Sequence, residues 1–275
     1  MIELGIISKL PISRFTEHGA YLELSEEGEV LLPKRYLQGN EKEGDLMEVF
    51  VYTDSEDRPV AVTERPIALL DEFAVMEVKE VTRFGAFVDW GLSKDLFVPK
   101  AEMARPVFKE EKHLVRVCLD HRTDRLIGVT KYKDFIYTDT RGFETGQEVA
   151  ALVFEKTDLG YKVLIEGRFE GLLYQNEVFE PLQLGKKVRA FIKKVRDDGK
   201  LDLQLTPIGR QKYEEGAERI LEKLRKDGFL PLHDKTPSDE IQRILGMSKK
   251  HFKQSIGQLY KKKIINITDK GIALL

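Results

Sequence analysis

The sequence predicts three small five-stranded β-barrels in series followed by an α+β winged-helix domain, and three observations carry that reading. An alternating apolar and polar block built around one glycine occurs three times, as HGAYLEL from His18, FGAFVDW from Phe84 and LGYKVLI from Leu159. Fifteen residues beyond those glycines, Lys34, Lys100 and Gln175 close the segments VLLPK, LFVPK and LLYQ. After Thr206 the alternation stops and apolar residues return at helical spacing.

Each copy is completed in the same order. A third block reads GDLMEVFVY from Gly44, HLVRVCLD from His113 and GKKVRAFIKKV from Gly185, and the copies then end in RPVAVT, RLIGVT and KLDLQLT. This places the units at residues 1–66, 67–144 and 145–210, with a glycine where a barrel strand must bend sharply. An oligonucleotide-binding barrel fits this plan. Periodicity alone also allows an SH3-like barrel.

The barrel type follows from a resemblance. In the second copy, FGAFVDWGLSKDLFVPKAEM and later VRVCLDHRTDRLIGVT resemble the S1 domain, whose signature runs FGAFV, then a GLVHIS-like strand, then a closing V-D-x-x-x-R-I-x-LS. The likeness covers Phe73–Lys133, more weakly Met1–Arg65, and again Thr145–Thr206. Three such barrels before a winged helix are similar to the conserved virulence factor B family of bacterial regulators. That resemblance implies RNA binding and gene regulation, with bases stacked on the aromatic residues of FGAF. Those positions map to Phe84 and Phe87 in the second copy, to His18 and Tyr21 in the first, and to Leu159 and Lys162 in the third. The histidine position of GLVHIS maps to Leu32, Val98 and Tyr174. No copy holds the full set, so each barrel is expected to bind weakly and to act together with the others.

The C-terminal segment, residues 211–275, reads as three helices and a hairpin. A helical pattern begins at Tyr213, with Ala217, Ile220, Leu221 and Leu224 on one face. Thr236-Pro237-Ser238-Asp239 announces a second helix by a capping residue and a proline at the first helical position. Its apolar positions Ile241, Ile244 and Leu245 precede Gly246, a stop signal. The third helix starts behind Ser248, with Phe252, Ile256, Leu259 and Tyr260 spaced for burial and Lys249, Lys250, Lys253 and Lys261 on the other face. IINITDKGIALL then forms a hairpin around Asp269-Lys270-Gly271. In a winged helix the third helix is the usual reader of a nucleic-acid groove.

The formal net charge of −2 is unevenly spread. Residues 1–66 hold seven Lys and Arg against fourteen Asp and Glu, whereas residues 211–275 hold fourteen against nine. In the third barrel, GKKVRAFIKKVRDDGK alternates so that Val188, Ala190 and Ile192 share one face and Lys187, Arg189, Phe191 and Lys193 the other. Cations beside a ring suit a single strand, although lysines also blunt an exposed sheet edge. The expected RNA contacts are Phe84, Phe87, Arg125, Tyr174, Lys187, Arg189, Phe191, Lys193, Lys249, Lys250, Lys253 and Lys261, with residues 145–275 carrying most of the affinity. The acidic first barrel fits a spacer, a protein-binding module or an electrostatic guide.

Several function classes are disfavoured. Cys118 is the only cysteine, which leaves no internal disulfide or clustered-thiolate zinc site. The five histidines lie far apart. Asp197-Asp198 beside Gly199 reads as a turn, so neither a metal, a cofactor nor catalysis is expected. No apolar run approaches the roughly 18 residues of a membrane span, and MIELGIISKL lacks the marks of a secretory signal, so the cytoplasm is the expected compartment. The sequence therefore favours a non-catalytic binder of single-stranded RNA. The competing reading is a DNA-binding transcription regulator that uses the winged helix.

Overall fold

The structure is a computed structural model that describes residues 4–24, 28–54, 56–175, 178, 180–207, 209–268 and 270–275, without the side chains of residues 209–215. Alternation builds the first barrel from β1 (Ile7–Thr16), β2 (Gly19–Glu23), β3 (Glu29–Pro33), β4 (Leu46–Thr53) and β5 (Pro59–Val62). Val30 and Leu32 point inward from β3 and are buried, while Leu31 between them is not. The strand order β1-β2-β3-β5-β4 closes through a pairing of β1 with β4.

The second unit comprises β6 (Phe73–Val81), β7 (Gly85–Asp89), β8 (Leu96–Pro99), β9 (Lys112–Asp120) and β10 (Arg125–Val129). The third comprises β11 (Glu148–Thr157), β12 (Gly160–Ile165), β13 (Phe169–Tyr174), β14 (Lys187–Val195) and β15 (Leu201–Gln204), and it is closed like the first. The second has the same order but stays open, because β8 and β10 share no ladder. At that seam a side chain on Gly128 would come within 2.7 Å of Val98 and Val115.

A local device recurs in all three units. The first strand carries a register shift between Ile12 and Arg14, between Val78 and Glu80, and between Val153 and Glu155. A bulge of this kind bends the strand and raises its twist, as a small barrel needs. Next comes a threonine three residues before the repeat glycine, with the hydroxyl of Thr16, Thr82 or Thr157 donating to the carbonyl of Gly19, Gly85 or Gly160 at 3.1–3.2 Å. The glycine is required by close approach: at Gly160 (φ +144°) a Cβ would fall 2.1 Å from the Leu173 carbonyl oxygen.

The C-terminal unit contains α1 (Gly209–Asp227), β16 (Phe229–Leu230), α2 (Ser238–Leu245), α3 (Lys249–Lys261), β17 (Ile265–Thr268) and β18 (Gly271–Leu274). Its helices are those expected, but the hairpin gains β16 as a third strand, in the order β16-β18-β17. The α1 side chain of Tyr213 and the turn residue Asp269 lie outside the described residues. Thr236 does not cap α2: its hydroxyl accepts from the His233 amide at 2.9 Å, and Pro237 occupies the capping position. Gly246 ends α2 in the left-handed conformation at φ 64°, and the Ser248 hydroxyl caps α3 by accepting from the His251 amide. Among the described residues no helix is long and apolar enough to cross a membrane.

The hairpin geometry predicts that Gly160→Ala, which forces a methyl group into the Leu173 carbonyl, destabilises the third barrel by roughly 2 kcal/mol or more. Urea denaturation checks this, and an unchanged midpoint would contradict the close approach.

Candidate nucleic-acid interface

The threonine-anchored turn decides what stands at each hairpin tip. In the second barrel that residue is Phe84, 65% exposed, with the Arg83 guanidinium 4.4 Å from its ring centre. Leu159 occupies the same place in the third barrel and is equally exposed. His18 occupies it in the first.

One step along the hairpin the three copies diverge. Phe87 points outward from β7 and lies 5.1 Å, ring to ring, from Phe97 of β8, its cross-strand partner. In the first barrel the matching ring, Tyr21, is covered by Arg14 at 3.9 Å, and Arg14 is itself held by Glu29. In the third the position is Lys162, paired with Glu155 at 2.7 Å. Only the second barrel therefore offers open rings at this position. Phe97 was not expected from the sequence; the signal was present in LFVPK, where alternation turns Phe97 outward beside Phe87.

Phe84, Phe87 and Phe97 line a cleft of about 660 Å³ at the junction of the first two barrels. Its rim carries Arg83, Lys94 and Arg125 from the second barrel and Thr53 and Asp57 from the first. Two of these cations are engaged by Thr53, Asp54 and Asp57 of the first barrel. Arg125 pairs with Asp57, and the Lys94 ammonium donates to the carbonyls of Thr53 and Asp54, both at 2.8 Å. Burial, aided by neighbouring Arg125, holds the Lys94 pKa below its ordinary value.

The remaining expected contacts fall elsewhere. Tyr174 donates to Asp202 at 3.3 Å. Lys187 is exposed at the start of β14 and lines a groove between the second and third barrels with Val75 and Leu152. Arg189 pairs with Glu148 at 2.7 Å, and Lys193 is exposed. Phe191 corrects the reading of this strand, because it is 1% exposed, with Arg189 lying 5.1 Å from its ring centre. Alternation placed it on the outer face with Lys187, Arg189 and Lys193, yet among these Phe191 alone is buried, and a ring closed from solvent cannot stack on a base. Asp198 of the turn pairs with Arg196 at 2.8 Å.

In the winged helix, Phe252, Ser255, Ile256 and Leu259 are the buried face of α3. Lys250, Lys253 and Lys261 are exposed on the opposite side. Lys249 is half-buried, and its ammonium donates to the Lys235 carbonyl at 3.4 Å. Tyr260, expected in the core, is exposed instead.

The S1 domain family matches residues 4–64, the first barrel, and the CvfB-like winged helix domain family matches residues 218–274. The chain is similar to the proteins named Conserved virulence factor B. The Staphylococcus aureus protein of that name is 26% identical over 240 residues, covering 84% of this chain and 80% of its own. The Bacillus subtilis protein named "Uncharacterized protein YitL" is 29% identical over 262 residues, covering 92% of this chain and 87% of its own. A crystal structure described as a multidomain protein with nucleic acid binding domains, from Streptococcus pneumoniae, is 26% identical and covers 99% of this chain and 98% of its own at a TM-score of 0.44. S1 and winged-helix domains indicate nucleic-acid binding.

The two rings of FGAF are expected to separate on substitution. Phe84→Ala should leave stability within about 0.5 kcal/mol, since the ring is open to solvent, and should weaken nucleic-acid binding by about 1–3 kcal/mol. Phe87→Ala should also cost roughly 1–2 kcal/mol of stability through its lost contact with Phe97. Thermal melts beside fluorescence titrations test both, and a Phe84→Ala protein with unchanged affinity would remove the hairpin tip from the interface.

Proposed function

We propose that the protein is a non-catalytic, cytoplasmic RNA-binding regulator that holds unstacked single-stranded segments in the aromatic cleft of its second barrel and adds phosphate contacts from α3. The observation that carries this reading is the cleft itself. Phe84, Phe87 and Phe97 present ring surface beside Arg83, Lys94 and Arg125, and stacking rings flanked by cations suit a single strand whose bases are free to splay. A duplex keeps its bases stacked inside, out of reach of such a cleft. The consequences for transcript stability or translation follow from the likeness to the virulence-factor family.

The exposed Lys250, Lys253 and Lys261 of α3 favour one competing reading, a duplex-DNA reader. Parallel titrations with single-stranded RNA, single-stranded DNA and duplex DNA separate the two, and tighter binding of duplex DNA would overturn the proposal. Incubation of labelled RNA with magnesium or manganese tests the non-catalytic part, since turnover by the pure protein contradicts it.

The double reversal Lys250→Glu, Lys253→Glu is expected to weaken binding similarly for all RNA sequences, because phosphate contacts carry no base information. It should also flatten the salt dependence by about 0.7 per lost contact on single strands. Affinities measured across a salt series check this. An unchanged slope would assign the lysines to a solvated face.

A further inference from the structure

The aromatic cleft contains a carboxylate that no hydrogen bond or close ion pair reaches among the described residues. Asp57 and Asp95 are the acids that line it. Asp57 is neutralised by Arg125. Asp95 lies on the outward face of the second barrel, immediately before β8 and two residues from Phe97. Its neighbour Asp89 is fully engaged, accepting from the Gly91 amide at 3.0 Å and pairing with Lys79 at 3.1 Å. No hydrogen bond or close ion pair reaches the Asp95 carboxylate among the described residues; partial burial and the charges of Asp89 and Glu80 push its pKa up, against the opposing pull of the Lys79 ammonium, which is itself paired with Asp89.

A partly desolvated carboxylate is unfavourable until donors reach it. Phosphate cannot supply them, since the two anions repel. A base can. We infer that Asp95 makes the cleft selective for guanine in single-stranded RNA, an inference that rests on the binding role proposed above. Guanine alone presents two adjacent donors, N1–H and the N2 amine, that meet both oxygens of one carboxylate. Adenine and cytosine pair their single amine with a ring-nitrogen lone pair that opposes the second oxygen, and the N3–H of uracil is flanked by two carbonyl oxygens. The ring of a guanine so held would lie beside Phe87 and Phe97, with the backbone toward Arg83.

The test uses the full-length protein and labelled uridine 12-mers that carry one central guanosine, adenosine, cytidine or inosine. The guanosine oligomer is expected to bind about tenfold more tightly than the adenosine one, equivalent to about 1.4 kcal/mol. Inosine, which lacks only the N2 amine, should lose most of that advantage, a comparison that needs no variant. Asp95→Asn replaces one acceptor by a donor. It should abolish the guanosine preference while leaving the adenosine oligomer bound at least as tightly as before. Equal affinities for all four oligomers, unaltered by Asp95→Asn, would overturn guanine selectivity and leave RNA binding standing. Failure of every oligomer to bind would overturn the proposed function, and this inference with it.

Discussion

Trp90 is the contact on which the geometry of the cleft depends. Its side chain is 2% exposed, and it packs edge-on against Phe50 and Tyr52 of the first barrel at 5.6 and 6.0 Å. Its indole N–H donates to the Lys94 carbonyl at 2.6 Å, and the ammonium of Lys94 reaches back to the Thr53–Asp54 turn. A single residue pair thus fixes the end of β7, the loop to β8 and the first barrel's last turn against one another. The buried residues of the two barrels accordingly form one continuous cluster. The first barrel is a wall of the cleft, a more definite role than a spacer.

The three barrels show how one scaffold can hold different outer faces. Backbone features repeat closely, from the bulge in the first strand to the threonine-anchored turn, because each is required to close a strand of this length on itself. The outward residue after the turn is free of that demand. Tyr21 is covered by Arg14, Lys162 is paired with Glu155, and Phe87 alone keeps an aromatic neighbour. Conserved backbone chemistry with divergent outer side chains explains why the repeat is easily seen while the capacity to bind must be judged copy by copy.

The same distinction explains what the sequence revealed. Strand order, hairpin glycines and the helices of the winged helix depend on local periodicity and turn chemistry, which are written in consecutive residues. The cleft depends on residues separated by the joint: Arg125 meets Asp57 across 68 positions, and Lys94 meets Thr53 across 41. No spacing rule announces such pairs. Phe84 and Phe87 were legible because the motif named them, and Phe97 could have been found by extending the alternation. Phe191 misled for the opposite reason, since period two distinguishes faces but not how deeply each side chain on a face is buried.

Electrostatics completes the argument for distributed binding. The cleft has the rings for stacking, yet two of its three rim cations are committed to the first barrel, so phosphate attraction there is weakened. The lysines of α3 have the opposite character, being exposed cations on a helix. Phosphate attraction is sensitive to salt but not to sequence, whereas a base held against Phe87 and Phe97 is less sensitive to salt and depends on which edge meets the cleft. On the proposed function, joining the two on one chain lets a long-range, sequence-tolerant contact raise the effective concentration of RNA at a short-range, selective one, and linkage of this kind can raise avidity by about 10²–10⁴ without a new contact. A chain of overall charge −2 binds a polyanion on this proposal because attraction and recognition fall to different modules.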